Sequence, residues 1–177
     1  MGGKYTKRVL LFSVVIAIII AVALFYHPMS TMHKLDMAKA KSATESQVIR
    51  VVDGDTIIVS LHHKPETIRL LGINTPETVK PNFPVECYGP EASKHTKEIL
   101  TDKIVQLESD PSQDNRDKYN RLLRFVFLDG KNFNESLVQD GFAREYTFKV
   151  PNKYQKIFKA DQRLAKKNKV GLWGTCL

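Results

Sequence analysis

Val9 to Tyr26 (VLLFSVVIAIIIAVALFY) is a run of 18 residues without one charge. A helix that is apolar on every side has no solvent face, so it belongs in a deep core or a bilayer. At about 1.5 Å per residue it would span roughly 27 Å, close to the hydrocarbon thickness of a membrane. Lys4, Lys7 and Arg8 precede it, which predicts a cytoplasmic N-terminus and an exported remainder. A signal peptide is the competing reading. Its apolar region is usually about 7–15 residues, with a small-x-small cleavage site close behind. Here "HPMSTMHKL" follows, and the first Ala-x-Ala, Ala38-Lys39-Ala40, lies well downstream. Run length and the missing site favour a single-pass membrane anchor over residues 1–26, with secretion after cleavage as the alternative. Both place the rest of the chain outside.

Residues 27–46 are polar, small and non-periodic, the signature of a linker. The remaining residues, 47–177, are enough for one domain with one core. The chain carries +8, but six of its 27 Lys/Arg and two of its 19 Asp/Glu precede Gln47, which leaves the domain at +4. That surplus suits a polyanionic partner and an ordinary solvated surface equally well. Cys87 and Cys176 are the two cysteines. An even count in an oxidising compartment predicts one disulfide. No C-x-x-C or paired-His spacing suggests a metal site. His62 and His63 fall in a polar turn and His95 on a lysine-rich helix, so all three read as surface residues.

Short β-branched runs dominate the first half. "QVIRVVDG" and "DTIIVSL" meet at Asp53-Gly54, "HHKPET" reads as a turn, and "IRLLGIN" is the next strand. "GPEASKHTKEILTD" predicts a helix with Pro90 and Glu91 in its first turn and Ala92, Thr96, Ile99 and Leu100 along one face. "KIVQLESD" and "RLLRFVFLDG" are two further strands. "NFNESLVQDG" is a short helix capped by Asn132 or Asn134 and stopped by Gly141. A last helix places Tyr154, Ile157, Phe158, Leu164 and Ala165 on an apolar stripe before Gly171. Five short strands interrupted by helices, without β–α–β alternation, predict an α+β domain: a five-stranded barrel of the OB type with three helices, preceded by the anchor or signal helix.

Several polar residues sit where a strand or a tight strand end has little use for them. Asp55 opens a strand. Arg69 is embedded in "TIRLLGI", Asn74, Thr75 and Glu77 follow in "GINTPET", and Arg121 stands where "DKYNRLLRFVF" becomes apolar. Singly, each has an ordinary reading as a turn residue or a solvent-facing side chain. Together they have a chemical logic. Carboxylate and amide or carbonyl oxygens suit a hard cation such as Ca²⁺. Two guanidiniums fork onto phosphodiester oxygens. A further glutamate can activate water, and the set neutralises charge developing on phosphorus.

The segments "VVDGDTIIV", "IRLLGINTPET", "YGPEAS", "DKYNRLLRFVF", "DGKNFNESLVQDGFA" and "AKKNKVGLW" strongly resemble the staphylococcal nuclease (thermonuclease) family, nearly colinearly from Val48 to Trp173. The resemblance implies a Ca²⁺-dependent endonuclease on an OB barrel, cutting DNA and RNA to 3′-phosphate products. It assigns Asp55 and the Thr75 carbonyl to calcium, with Asn74 where the best-known member has an aspartate. It makes Arg69 and Arg121 phosphate ligands and Glu77 the general base, and it sets Lys118 and Tyr119 beside the nucleotide's terminal phosphate. Beyond Gly141 only Tyr146 offers a phenol, one position from the family's place for one. No protein partner is implied, which makes the chain a monomer. A non-catalytic OB module binding single strands is the alternative, and Asp55, Glu77, Arg69 and Arg121 are the residues that argue against it. A structural envelope protein whose basic face meets anionic lipid is a third reading.

Overall fold

In β1 (Thr44–Val51) the inward residues change parity: Ser46 and Val48 are buried, then Val51 rather than Arg50. The change comes from a bulge, since Val48 pairs with Val59 but Arg50 pairs with Ile58. Exposed Ile49 is the extra residue, and the strand coils there as a barrel requires. The computed structural model describes residues 44–78 and 84–176, so the 9–26 run and most of the predicted linker lie outside the described residues. Residues 44–46 belong to β1, paired with Val105 to Leu107, and the barrel starts three residues before the linker boundary drawn from polarity. Among the described residues no helix is long and apolar enough to cross a membrane.

β2 (Thr56–Leu61) and β3 (Lys64–Leu70) form a two-residue hairpin whose turn residues, His62 and His63, both have positive φ. That is the geometry of the turn whose twist matches a hairpin. It corrects the reading of "HHKPET" as a turn, because only the two histidines turn and "KPET" is strand. Pro65 is tolerated because it faces Ser60, one step beyond the closing pair Leu61–Lys64, and the outer edge of β3 meets another strand only from Ile68 onward.

After the short β4 (Ile73–Asn74) come helix α1 (Gly89–Leu100), β5 (Ile104–Glu108) and β6 (Leu122–Leu128). β6 runs antiparallel to β5 and parallel to β3, while β1 pairs with both β2 and β5. The circuit β1–β2–β3–β6–β5 is therefore closed, the five-stranded barrel expected. Ile57, Val59, Ile68, Leu70, Val105 and Phe125 fill it, and full burial of each such side chain stabilises by about 1.5–3 kcal/mol. β7 (Lys131–Asn132), α2 (Phe133–Gln139), β8 (Arg144–Glu145), α3 (Gln155–Lys167) and the single-turn α4 (Leu172–Thr175) complete the chain. Asn132 is the cap of α2, accepting from the Glu135 N–H at 3.3 Å. Ala92, Thr96 and Leu100 face inward from α1 but Ile99 does not, and in α3 Phe158 and Ala165 are buried while Ile157 and Leu164 are exposed. The apolar stripes predicted for both helices are thus narrower than drawn. His95 is half-buried rather than fully exposed: its ring stacks on Phe142 at 4.1 Å, and burial holds its pKa below the usual imidazole value.

Asn134, the other residue considered as a cap, is fully buried and ties three elements together. Its Oδ1 accepts from the Val126 N–H at 2.9 Å, and its Nδ2 donates to the carbonyls of Leu71 at 2.9 Å and Arg124 at 3.4 Å. Asn134→Leu strands a buried donor and a buried acceptor, so a loss of about 3 kcal/mol is expected. Urea unfolding with an unshifted midpoint would refute this.

Candidate active site

The Asp53-Gly54-Asp55 segment is a turn held from three sides. The N–H groups of Val52 and Asp53 donate to the Thr56 carbonyl at 2.9 and 3.3 Å, and Asp53 Oδ1 accepts from the Asp55 N–H at 3.1 Å. Thr96, buried on α1, donates its hydroxyl to the Gly54 carbonyl at 2.8 Å. A Cβ at residue 54 would lie 2.7 Å from Thr75 Oγ1, so glycine is what lets the turn close on the Thr75 strand end.

That closure aims Asp55 inward. Its Oδ2 accepts from the Thr75 N–H at 2.9 Å and lies 3.0 Å from Arg69 Nη2, while Oδ1 accepts from Thr56 Oγ1 at 3.2 Å. Arg69 is not the solvent-facing strand arginine of the ordinary reading. Its Nη1 donates to the carbonyls of Leu70 at 2.6 Å and Ile73 at 2.9 Å, and its Nη2 also donates to Asn74 Oδ1 at 2.9 Å. Asn74 in turn donates to the Thr75 carbonyl at 3.2 Å. Asp55, Arg69, Asn74 and Thr75 thus form one bonded cluster.

Arg121 joins it through one hydroxyl. Thr56 Oγ1, which donates to Asp55, receives Arg121 Nη1 at 3.4 Å. Asp117 aims Arg121: its Oδ2 accepts from Nε at 2.7 Å, and its Oδ1 accepts from the backbone N–H groups of Tyr119 and Arg121, both at 2.9 Å. Burial opposes ionisation of Asp117, but these bonds outweigh it and hold its carboxyl below the usual range. Lys118 and Tyr119 stand at the surface beside it. Tyr119 is 66% exposed, with Lys118 Nζ 4.9 Å and Arg121 Cζ 5.3 Å from its ring centre.

Glu77 follows two residues after Thr75. Its Oε1 accepts from the Thr78 N–H at 2.9 Å. Its backbone is gripped twice by Glu86: the Glu77 N–H donates to Glu86 Oε2 at 3.1 Å, and the Glu86 N–H donates to the Glu77 carbonyl at 2.9 Å. Gly89 permits this approach, since a Cβ there would lie 2.9 Å from the Glu77 carbonyl. Next to Glu86, Cys87 is disulfide-bonded to Cys176, as the even cysteine count predicts.

Among the described residues no three His, Cys, Asp or Glu side chains gather as a metal site. The donors present are all oxygens: the Asp55 carboxylate, the Asn74 amide and the Thr75 carbonyl. That set fits a hard cation. Burial, then the neighbouring Asp55 charge, push Asp53 up to about 6 despite bonds from the Asp55 backbone and Thr56 and the pull of Arg69. Burial is the larger cause, and the Asp55 charge adds to it.

Thr56, Asp117 and Glu86 are not singled out by the sequence, and Thr96 is marked there only as a position on the inward face of its helix. Of the first three, Asp117 alone left a trace there, an Asp-x-x-Asn turn before an apolar strand.

A closed OB-type barrel that carries a buried carboxylate and two guanidiniums near one another is the arrangement a phosphodiester hydrolase requires. The family model described as Staphylococcal nuclease homologue matches residues 67–175. The Thermonuclease of Staphylococcus hyicus is 46% identical over 127 residues, 72% of this chain and 74% of that one. The Endonuclease YncB of Bacillus subtilis is 45% identical over 125 residues, 70% of this chain and 59% of that one. The SPbeta prophage-derived endonuclease YokF of the same organism is 44% identical over 134 residues, but the match spans only 45% of its length. The chain belongs to the staphylococcal nuclease family.

Proposed function

We propose that this chain is a Ca²⁺-dependent endonuclease that hydrolyses DNA and RNA to 3′-phosphate products on the outer side of the membrane, tethered by residues 9–26 or secreted after their removal. The observation that carries this reading is the bonded cluster of Asp55, Arg69, Asn74 and Thr75, joined to Arg121 through Thr56. Asp55, Asn74 and the Thr75 carbonyl would hold the cation, which when bound supplies positive charge to the phosphate oxygens. With Asp55 and Asn74 turned to the cation, Arg69 Nη2 would be released from them to donate, together with Arg121, to the remaining oxygens and match the charge that grows there as water attacks. Glu77 orients that water and takes its proton as the new P–O bond forms and the P–O5′ bond breaks. The phosphate stays on the 3′ side, and the 5′-oxygen departs beside Arg121 and takes up a proton from solvent. Glu86 keeps the Glu77 backbone in place. Lys118 and Tyr119, at the Arg121 end, hold the adjoining phosphate. The protein acts as a monomer.

Digestion of single- and double-stranded DNA and of RNA with Ca²⁺, with Mg²⁺ and with chelator tests this reading. Cutting is expected with Ca²⁺ and abolished by chelation; equal cutting in chelator would overturn the calcium requirement. Asn74→Asp adds one negative charge to the donor set, so it should lower the Ca²⁺ concentration for half-maximal activity by about tenfold. An unchanged or higher requirement in that variant would remove Asn74 from the site.

A further inference from the structure

A groove of about 430 Å³ opens beside the cluster, with Val52, Val85 and Pro90 as apolar walls, Thr78 at one end and Lys94 and Lys97 on its rim. None of these residues enters the chemistry described above. We propose that this groove is a second nucleotide subsite, which takes a base of the substrate strand against Val52, Val85 and Pro90 and its phosphates on Lys94 and Lys97. The proposal deepens the nuclease reading and rests on it for the place of the scissile phosphate.

Three observations carry it. The first is continuity with the reaction centre. Val52 precedes the Asp53-Gly54-Asp55 turn and Thr56 follows it; Val52 lines the groove, whereas Thr56 meets Arg121. Thr78 lies next to Glu77. The groove therefore adjoins both the turn that carries Asp55 and the segment that carries Glu77, within reach of a strand whose scissile phosphate lies at Asp55 and Arg69. The second is the makeup of the walls. Val85 is 60% exposed, a large apolar side chain left open to water at the mouth. Aliphatic walls offer no hydrogen-bonding groups, so they can cover the apolar face of any base without discriminating among bases. The third is charge. Lys94 and Lys97 stand one turn apart on the same side of α1, about 5–6 Å between their Cβ atoms, a spacing comparable with successive phosphates of an extended strand. The Lys94–Glu98 pair at 3.8 Å is exposed and offers little competition. Thr96, between the two lysines, bonds the Gly54 carbonyl, so the helix that carries the rim also braces the turn that aims Asp55.

The test is the double variant Lys94→Ala/Lys97→Ala, both exposed positions whose melting temperature should match wild type. Fluorescence anisotropy in chelator measures binding of a labelled oligothymidylate of about twenty nucleotides as a function of salt. Loss of two phosphate contacts on a single strand should make the log–log salt slope shallower by about 1.4 and weaken binding about tenfold at low salt. In cleavage with Ca²⁺, the ratio of kcat/KM on the long strand to that on a dinucleotide should fall about fivefold or more. An unchanged salt slope, or an equal loss on long and short substrates, overturns the subsite. A wild type that binds the strand with the expected slope but never cuts it overturns the nuclease reading and leaves the groove standing.

Discussion

Arg69→Ala is expected to cost both stability and rate, whereas Glu77→Gln costs mainly rate. The Arg69 side chain is 13% exposed and that of Asp55 8%, so removing the guanidinium leaves a carboxylate that water reaches poorly. Breaking such a pair from one side costs about 3–5 kcal/mol. The carbonyls of Leu70 and Ile73 lose a donor as well. Activity should fall about 10³-fold, since the proposed phosphate site loses one of its two arginines. Arg69→Lys restores the charge but not the fork, so it should recover part of the unfolding midpoint and little of the rate. Glu77→Gln keeps an oxygen for the Thr78 N–H, and the Glu86 bonds use only the backbone of residue 77. Its midpoint should fall far less than that of Arg69→Ala while kcat falls about 10²–10⁴-fold. Urea unfolding beside steady-state kinetics measures both variants. Arg69→Ala with a wild-type midpoint would mean that Asp55 does not depend on the arginine. Full activity in either variant would remove that residue from the reaction.

The barrel was legible because its strands are short, β-branched and separated by recognisable turns, and these are local signals. What was not legible came from pairing across the sheet. Pro65 reads as turn chemistry, yet it sits in a strand because the register puts its nitrogen on an edge that needs no donor. Ser46 reads as linker, yet it is buried because β5 lies beside it. Ile99, Ile157 and Leu164 fit a helical period but lie beyond the arc that touches the core. Periodicity counts apolar residues along a helix; the width of the contact is set by the neighbouring element.

The site divides in the same way. Asp55, Arg69 and Arg121 stood out as charges at strand ends, a conflict between a residue and its local pattern. Their supports did not stand out. Thr56 is an ordinary β-branched residue at a strand start, and Thr96 an ordinary position on an amphipathic helix. Their hydroxyls acquire meaning only when the fold brings Asp55, Arg121 and the Gly54 carbonyl within reach. Glu86 likewise matters because Gly89 lets residues 77 and 78 pass against the start of α1. Charged groups that act on a substrate are visible in sequence, whereas the neutral groups that aim them emerge from contacts far apart along the chain.

Opening the Cys87–Cys176 bond is the second large effect expected. The two cysteines are 89 positions apart, and on the chain-entropy account a closed loop of that length is worth about 4–5 kcal/mol. Typical domain stability is about 5–15 kcal/mol, so Cys87→Ser/Cys176→Ser should leave a protein near the edge of folding at physiological temperature. The effect should also reach the site. Cys87 follows Glu86, whose carboxylate and N–H both hold the Glu77 backbone, and Cys176 ends the segment after α4. Without the bond, Glu86 to Tyr88 keeps those two hydrogen bonds, the first bonds of α1 and the Tyr88–Phe142 stack but loses its covalent tie, so Glu77 should be held less firmly. The rate should then drop by more than the unfolded fraction alone explains, with kcat affected more than KM. Denaturation with and without reductant, and kinetics of the serine double variant well below its melting temperature, separate the two consequences. An unshifted unfolding midpoint would refute the stabilising role. A shifted midpoint with wild-type kcat in the folded fraction would show that the bond steadies the fold without reaching Glu77.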